Sequence, residues 1–373
     1  MAAKLVSILT IVLLLLSCGE RAQPYEWDLP QGFPAPDIPE NNPMTKEKVA
    51  LGRALFFARA LSFNNTTACA SCHLPERAFS EPKARSVGAS GVTLKRNASA
   101  LVNVAYAGTL TWSHNGLRHI EQQLMIPLFA DTPIEMGVTN FEDVILARFN
   151  TADYKSLTRA AFGDSVLNFD RIVKSLASFV RSLVSFNSAF DDYAYRQIDE
   201  ALSPSQLRGM ELFFSEKMEC FHCHGGFNFT QSSKHAFQTL TLKAFHNTGL
   251  YNEDGNGAYP IDDQGLIDVT LEGSDMGHFR APTLRNVALT SPYMHDGSIA
   301  SLAGVIEFYA AGGRGKGINN PWKSQFVKGF DMTKQERDDL INFLHGLTDE
   351  SFIKNKNHHP PIPAPSTIIM SHN

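Results

Sequence analysis

Apolar positions along this chain recur with the spacing of helices, and nowhere with the two-residue alternation of strands. Residues 45–57 carry Val49, Leu51, Leu55 and Phe56, a pattern that predicts a helix. Residues 141–148 and 169–195 read the same way. The second of these places Ile172, Val173, Leu176, Phe179, Val180, Leu183 and Phe186 on one side, as a core helix does. Ser203-Pro204-Ser205-Gln206 opens a further helix with proline at its first position, and Gly209, Leu212, Phe213 and Phe214 follow. The predicted fold class is therefore all-α with long loops. Proline-rich residues 23–43 predict an extended lead-in. After Leu347 the chain, with His358-His359-Pro360-Pro361, reads as an extended tail whose two histidines are solvated.

The N-terminus follows a different rule. Lys4 precedes an apolar run over residues 5–16, too short to span a bilayer comfortably, which exits at Leu15-Leu16-Ser17-Cys18-Gly19. That exit resembles a bacterial lipoprotein box, so residues 1–18 are expected to be a lipoprotein-type signal peptide, with Cys18 as the lipidated first residue of a periplasmic protein. An ordinary signal peptide with an incidental cysteine is the alternative. No later segment is long and apolar enough to cross a membrane. A net charge of -5 with scattered Lys and Arg gives no basic stripe, which argues against nucleic acid as a partner.

Cysteine usage sharpens the picture. Of five cysteines in 373 residues, four fall in Cys69-Ala70-Ser71-Cys72-His73 and Cys220-Phe221-His222-Cys223-His224. Each is the attachment pattern of a c-type haem, in which the two thiols add to the vinyl groups and the histidine ligates iron. A shared zinc leaves the repeated histidine unexplained, a thioredoxin-like motif needs a βαβ context, and two short disulfides would constrain little. A helix precedes both motifs, so the chain reads as two cytochrome c-like haem units. The expected division is a linker over 19–44, an N-terminal unit over 45–200, a C-terminal unit over 201–350 and a tail over 351–373.

Longer runs add a family resemblance. Arg280-Ala281-Pro282-Thr283-Leu284-Arg285-Asn286-Val287-Ala288-Leu289-Thr290-Ser291-Pro292-Tyr293-Met294-His295-Asp296-Gly297-Ser298 closely resembles the signature after the second haem site in bacterial di-haem cytochrome c peroxidases, the family that includes the MauG-like branch. Arg96-Asn97, Pro133-Ile134-Glu135-Met136-Gly137, Phe245-His246-Asn247-Thr248-Gly249 and Phe308-Tyr309-Ala310-Ala311-Gly312-Gly313-Arg314 match in order. The resemblance implies a two-domain all-α fold with two covalent haem c groups and a calcium ion between them. Hydrogen peroxide would be a substrate, and electrons would come from a cytochrome c, a cupredoxin or a protein substrate.

The axial positions indicate the branch. Many members carry a sixth-ligand histidine seven residues before the Arg-Asn pair, and here that position is Ala89, which cannot bind iron. The resemblance thus implies an open first haem held by His73, unless His114 or His119 takes the role. At the second haem, opposite His224, the position of the usual methionine is Tyr309, as in MauG-like members; a phenolate donor lowers the iron potential. Met294, Met276 and His278 are the competing ligands. Glu135 matches the family's distal glutamate, able to move a proton between peroxide oxygens. Gln123 matches its distal glutamine, and Pro127 is expected over the same face. Asn97, Thr290 and Pro292 fall where the family places calcium ligands. Trp112 is a candidate relay between the haems, although His114 replaces the usual tryptophan. MauG-like members that oxidise a protein have a tryptophan two residues before the second motif, and Met218 stands there. The resemblance implies a periplasmic di-haem peroxidase, with a MauG-like oxidase of a protein or small organic substrate, or a plain electron-transfer cytochrome, as alternatives.

Overall fold

Two helix pairs, each crossing at a glycine, carry the computed structural model, which describes residues 22–235 and 243–361. The leader with Cys18 and the end of the tail lie outside the described residues. The helices are α1 (Lys46–Phe56), α2 (Ile120–Phe129), α3 (Glu142–Arg148), α4 (Ala152–Phe162), α5 (Phe169–Arg181), α6 (Ala189–Arg196), α7 (Pro204–Phe213), α8 (Phe221–His224), α9 (Ile267–Thr270), α10 (Leu302–Ala310), α11 (Lys334–His345) and α12 (Glu350–Lys354). Strand structure among the described residues is confined to β1 (Phe245–His246) and β2 (Phe279–Arg280), paired antiparallel. No helix among them is long and apolar enough to cross a membrane.

Local chemistry sets where these helices begin. Thr45 caps α1 by accepting from the Lys48 amide, and Asn168 caps α5 through the Arg171 amide. Ser203 with Gln206, and Thr333 with Glu336, form reciprocal capping boxes that start α7 and α11. The helices then meet in pairs. In α1 the absence of a side chain at Gly52 admits α5, since a Cβ there would lie 1.9 Å from the Ser175 carbonyl oxygen. In α7, Gly209 does the same for α11, where a Cβ would lie 2.0 Å from the Asp339 carbonyl oxygen. Each close pair seeds its own apolar core. Leu51, Leu55, Phe56, Ile172, Leu176 and Phe179 belong to the first, and Phe213, Phe229, Leu340 and Phe343 to the second. A smaller cluster of Leu250, Tyr259, Phe279 and Phe308 has Trp112 and Tyr309 packed against it.

Two sequence expectations need correction. Residues 169–195 do not form one helix. The chain breaks after Arg181, because Asn103 accepts the Ser185 amide and donates its own amide to the Leu183 carbonyl, while Ser188 caps a new helix with Asp191. Leu183 and Phe186 remain buried across the break, so the apolar rhythm continues where the helix does not. The tail is also not a solvated strand. It forms α12, and His358 is buried against Phe352 and Phe79, with its Nδ1 2.9 Å from the Phe352 carbonyl oxygen. His359 is held through Nε2 to the Ile353 carbonyl oxygen. Arg53 of α1 clamps this segment by donating to the His359 carbonyl at 2.6 Å. The lead-in is extended as expected, and it is packed: Phe33 lies against Phe186, Tyr195 and Phe227.

Candidate active site

The first attachment motif is a tight turn. Cys69–Ser71 form one turn of 3-10 helix, and the His73 amide donates to the Cys69 carbonyl at 3.0 Å. That turn puts both thiols and the imidazole on one side. The His73 Nδ1 donates to the Phe79 carbonyl oxygen at 2.8 Å, which fixes the ring and leaves the Nε2 lone pair free. Burial holds His73 below the usual histidine range, so the ring is the neutral form that iron requires. Burial also pushes the Cys69 and Cys72 thiols up to about 12 and about 11.

Opposite this motif the chain brings together the residues the sequence singled out. Ala89 is buried, and its amide donates to the Glu135 carbonyl oxygen at 2.6 Å. The contact is close because Gly88 carries no Cβ, which would lie 2.2 Å from the Ile134 carbonyl oxygen. Asn64 secures the other side of the loop by donating to the Ala89 carbonyl at 2.7 Å. The Glu135 carboxyl makes no hydrogen bond to any described residue, and burial alone raises its pKa. After the dominant effect of burial, its negative charge adds to the upward shifts of Cys69 and Cys72, so the carboxyl faces the attachment turn. Gln123 and Pro127 stand four residues apart on one face of α2. The Pro127 carbonyl accepts the Met136 amide at 2.9 Å, which brings that face to the Glu135 loop. The Gln123 Oε1 is buried without a hydrogen-bond partner. His119 is exposed at the start of α2, and His114 accepts the Gly116 amide through Nδ1.

The second motif opens into a large cavity whose wall includes Cys220, Cys223, His224, Tyr309, Met294 and Arg280. His224 Nδ1 lies 3.1 Å from the Pro282 carbonyl and 3.3 Å from that of Phe229, and burial holds the ring down at about 4. Burial pushes the Tyr309 phenol far above its ordinary range, with Cys223 and Cys220 adding to the shift, so the ring lies beside the attachment cysteines. Its hydroxyl has no hydrogen-bond partner among the described residues. Met294 shares the cavity, whereas Met276 and His278 do not line it. Met218 is buried in the second core, and the Cys220 thiol donates to its carbonyl.

Between the motifs, Asn97, Thr290 and Pro292 also line this cavity. The Asn97 side-chain amide donates to the Lys83 carbonyl at 2.9 Å, which leaves its Oδ1 unpaired. The Thr290 and Pro292 carbonyls accept no hydrogen bond from any described residue. Trp112 donates its indole N–H to the Asn97 carbonyl at 2.8 Å and borders the cavity. One residue earlier, Arg96 grips Asp263 with both nitrogens, the shortest contact being 2.6 Å. These contacts join the segment after the first motif to the segments around the second.

Sequence reasoning passed over two residues here. Arg280 has only its Nε committed, to the Thr111 carbonyl at 2.8 Å, and burial lowers its guanidinium to about 10 with no carboxylate partner among the described residues. It lay inside the quoted signature, but its lack of a partner is a property of the fold alone. Glu81 is buried beside Cys72 and accepts from Ser86, with burial raising its pKa. Nothing in the local pattern distinguishes it from a surface glutamate.

These residues fit the groups the motifs call for. A c-type haem needs two thiols, a neutral imidazole and a counter-ion for its propionates, and the second cavity offers Cys220, Cys223, His224 and the unpaired Arg280. Calcium needs uncommitted oxygens, and Asn97 Oδ1 with the Thr290 and Pro292 carbonyls supplies three. The family model for di-haem cytochrome c peroxidases matches residues 46–199. The methylamine utilization protein MauG of Methylophilus methylotrophus is 34% identical over 322 residues, which is 85% of this chain and 86% of that protein. The cytochrome c551 peroxidase of Pseudomonas aeruginosa is 26% identical, over 82% of this chain and 80% of its own length. Among solved structures, a MauG-like protein associated with microbial copper homeostasis superposes with a TM-score of 0.87 at 44% identity, over 90% of this chain and 99% of that one.

Proposed function

The chain belongs to the di-haem cytochrome c peroxidase family and is an oxidoreductase of that kind; from this premise we propose how its own residues divide the work. Peroxide reduction takes place on the Ala89 and Glu135 face of the first motif, and the second motif serves as redox partner. When bound, the two c-type haems supply the iron that takes up hydrogen peroxide and the path by which electrons reach it. Cys69, Cys72 and His73 hold the first, while Cys220, Cys223, His224 and Tyr309 hold the second. Arg280 neutralises a propionate.

The observation that carries this reading is the bond from the Ala89 amide to the Glu135 carbonyl. It sets a methyl group, which cannot block iron, next to the residue whose half-buried carboxyl is able to take a proton from one peroxide oxygen and return it to the other. Gln123, with its unpartnered Oε1, orients the hydrogen-bonded oxygen. Trp112 would serve as the relay between the two halves, and Asn97, Thr290 and Pro292 would hold calcium. The halves divide as 45–200 and 201–350, and Cys18 anchors the protein on the periplasmic side of a membrane.

A second reading, oxidation of a protein or small organic substrate in place of a cytochrome or cupredoxin donor, is favoured by Tyr309 and by the 44% identity to a MauG-like protein. The buried Met218 argues against the tryptophan route of methylamine dehydrogenase maturation. Turnover of peroxide with reduced cytochrome c, set against peroxide-driven oxidation of protein substrates, separates the two. For the open first haem the test is electron paramagnetic resonance of the resting protein. One high-spin and one low-spin ferric signal are expected, and Ala89→His should convert the first to low spin and slow peroxide binding. Two low-spin signals in the unaltered protein would overturn the assignment.

A further inference from the structure

Beside the second attachment turn three side chains converge, one of which, Glu219, also borders the cavity of the second motif. Ligand atoms, one each from Glu216, Glu219 and His222, lie within 4.8 Å of one another. His222 occupies the variable position between Cys220 and Cys223. Its ring is held between Phe221 and Phe326, each with its centroid 4.1 Å away, the latter stacked at 11°. The imidazole is therefore fixed, and Nε2 has one direction to offer. That direction leads to Glu216 Oε2 at 3.4 Å. Glu219 Oε2 lies only 2.7 Å from the same nitrogen but out of line with it, and it accepts no hydrogen bond.

The Glu219 side chain is 8% exposed, and Lys328 takes up its other oxygen at 2.5 Å. A buried carboxylate oxygen that accepts no hydrogen bond, close to a rigid imidazole nitrogen and a second carboxylate, is what a bound cation resolves. We propose that Glu216, Glu219 and His222 form a binding site for a divalent transition-metal ion of the zinc or copper type. One imidazole and two carboxylates suit these ions, and no thiolate is available because Cys220 and Cys223 are committed to haem. Glu216 is 77% exposed, so ions enter from solvent and the remaining coordination positions belong to water. The site is independent of which substrate the enzyme oxidises.

The test is calorimetric titration of zinc ion alone into the purified di-haem protein, with calcium in excess so that the calcium ligands stay filled. One equivalent should bind. Glu216→Gln and His222→Gln should each weaken binding at least tenfold, with an unchanged Soret band showing that the haems remain in place. Glu216 is exposed, so its replacement leaves the fold intact. Zinc-edge X-ray absorption should show nitrogen and oxygen donors and no sulfur. Absence of a stoichiometric site, unaltered affinity in Glu216→Gln, or sulfur ligation would each overturn the proposal.

Discussion

Glu135 is a half-buried carboxyl without a hydrogen-bond partner among the described residues, and its chemistry follows from that. It must be ionised to take a proton, and burial raises its pKa. The acid limb of kcat/KM for peroxide should therefore lie above the ordinary glutamate value of about 4.3, with activity falling as pH drops through it. Glu135→Gln should remove that limb and reduce peroxide turnover by roughly 10²–10⁴-fold, the usual contribution of a positioned acid-base group. A pH profile of steady-state turnover checks both, and an unmoved limb in the variant would assign it to another group. Tyr309 is tested through spectrum and potential. A thioether in place of the phenol favours reduced iron, so Tyr309→Met should raise the midpoint potential of the low-spin haem and alter its absorption. Spectroelectrochemistry reads both, and an unchanged spectrum would point to Met294, which borders the same cavity.

At the scale of elements, the two glycine crossings make the matching prediction for stability. A methyl group at Gly52 or Gly209 would meet a backbone carbonyl that cannot turn aside, at 1.9 and 2.0 Å. Gly52→Ala and Gly209→Ala should each cost about 1–3 kcal/mol or more, as overpacked cores do. Gly273→Ala, with nothing within 4 Å, should be nearly neutral in the same thermal unfolding series followed by circular dichroism. Gly209 was visible in the sequence only as part of a helix; its role depends on how near α11 approaches. The helices themselves were legible wherever one face is buried, as in α1, α5 and α7. The break after Arg181 was not, because Leu183 and Phe186 keep the apolar rhythm while Asn103, distant in sequence, takes over the backbone bonds. The burial of His358 was equally hidden, since its partners Phe79 and Phe352 meet only in the folded chain.

For the whole molecule, the sequence displayed the attachment motifs and the axial positions, because covalent and ligand chemistry demand particular residue types. It did not display Arg280 or the Glu216, Glu219 and His222 cluster, since an unpaired charge is recognised only by what fails to surround it. The joint between the two motifs lies between these cases, and calcium removal tests it. Asn97 comes from the chain after the first motif, and Thr290 and Pro292 from the chain after the second, so a shared cation would tie the two together. Without it three unpartnered oxygens are left in the wall of one cavity, and direct bonds such as the Arg96 to Asp263 pair and that of Arg77 to the Ser291 carbonyl hold the joint. The Asn97 carbonyl also anchors the Trp112 indole, so displacement of Asn97 carries the tryptophan with it. Chelation should therefore lower the thermal midpoint and reduce turnover with an external electron donor. Calcium should restore both, and magnesium should not, because it demands a stricter octahedral shell than these oxygens provide. Asn97→Ala should show the chelated behaviour even with calcium present, whereas unchanged melting and turnover in demonstrably calcium-free protein would remove the ion from the joint.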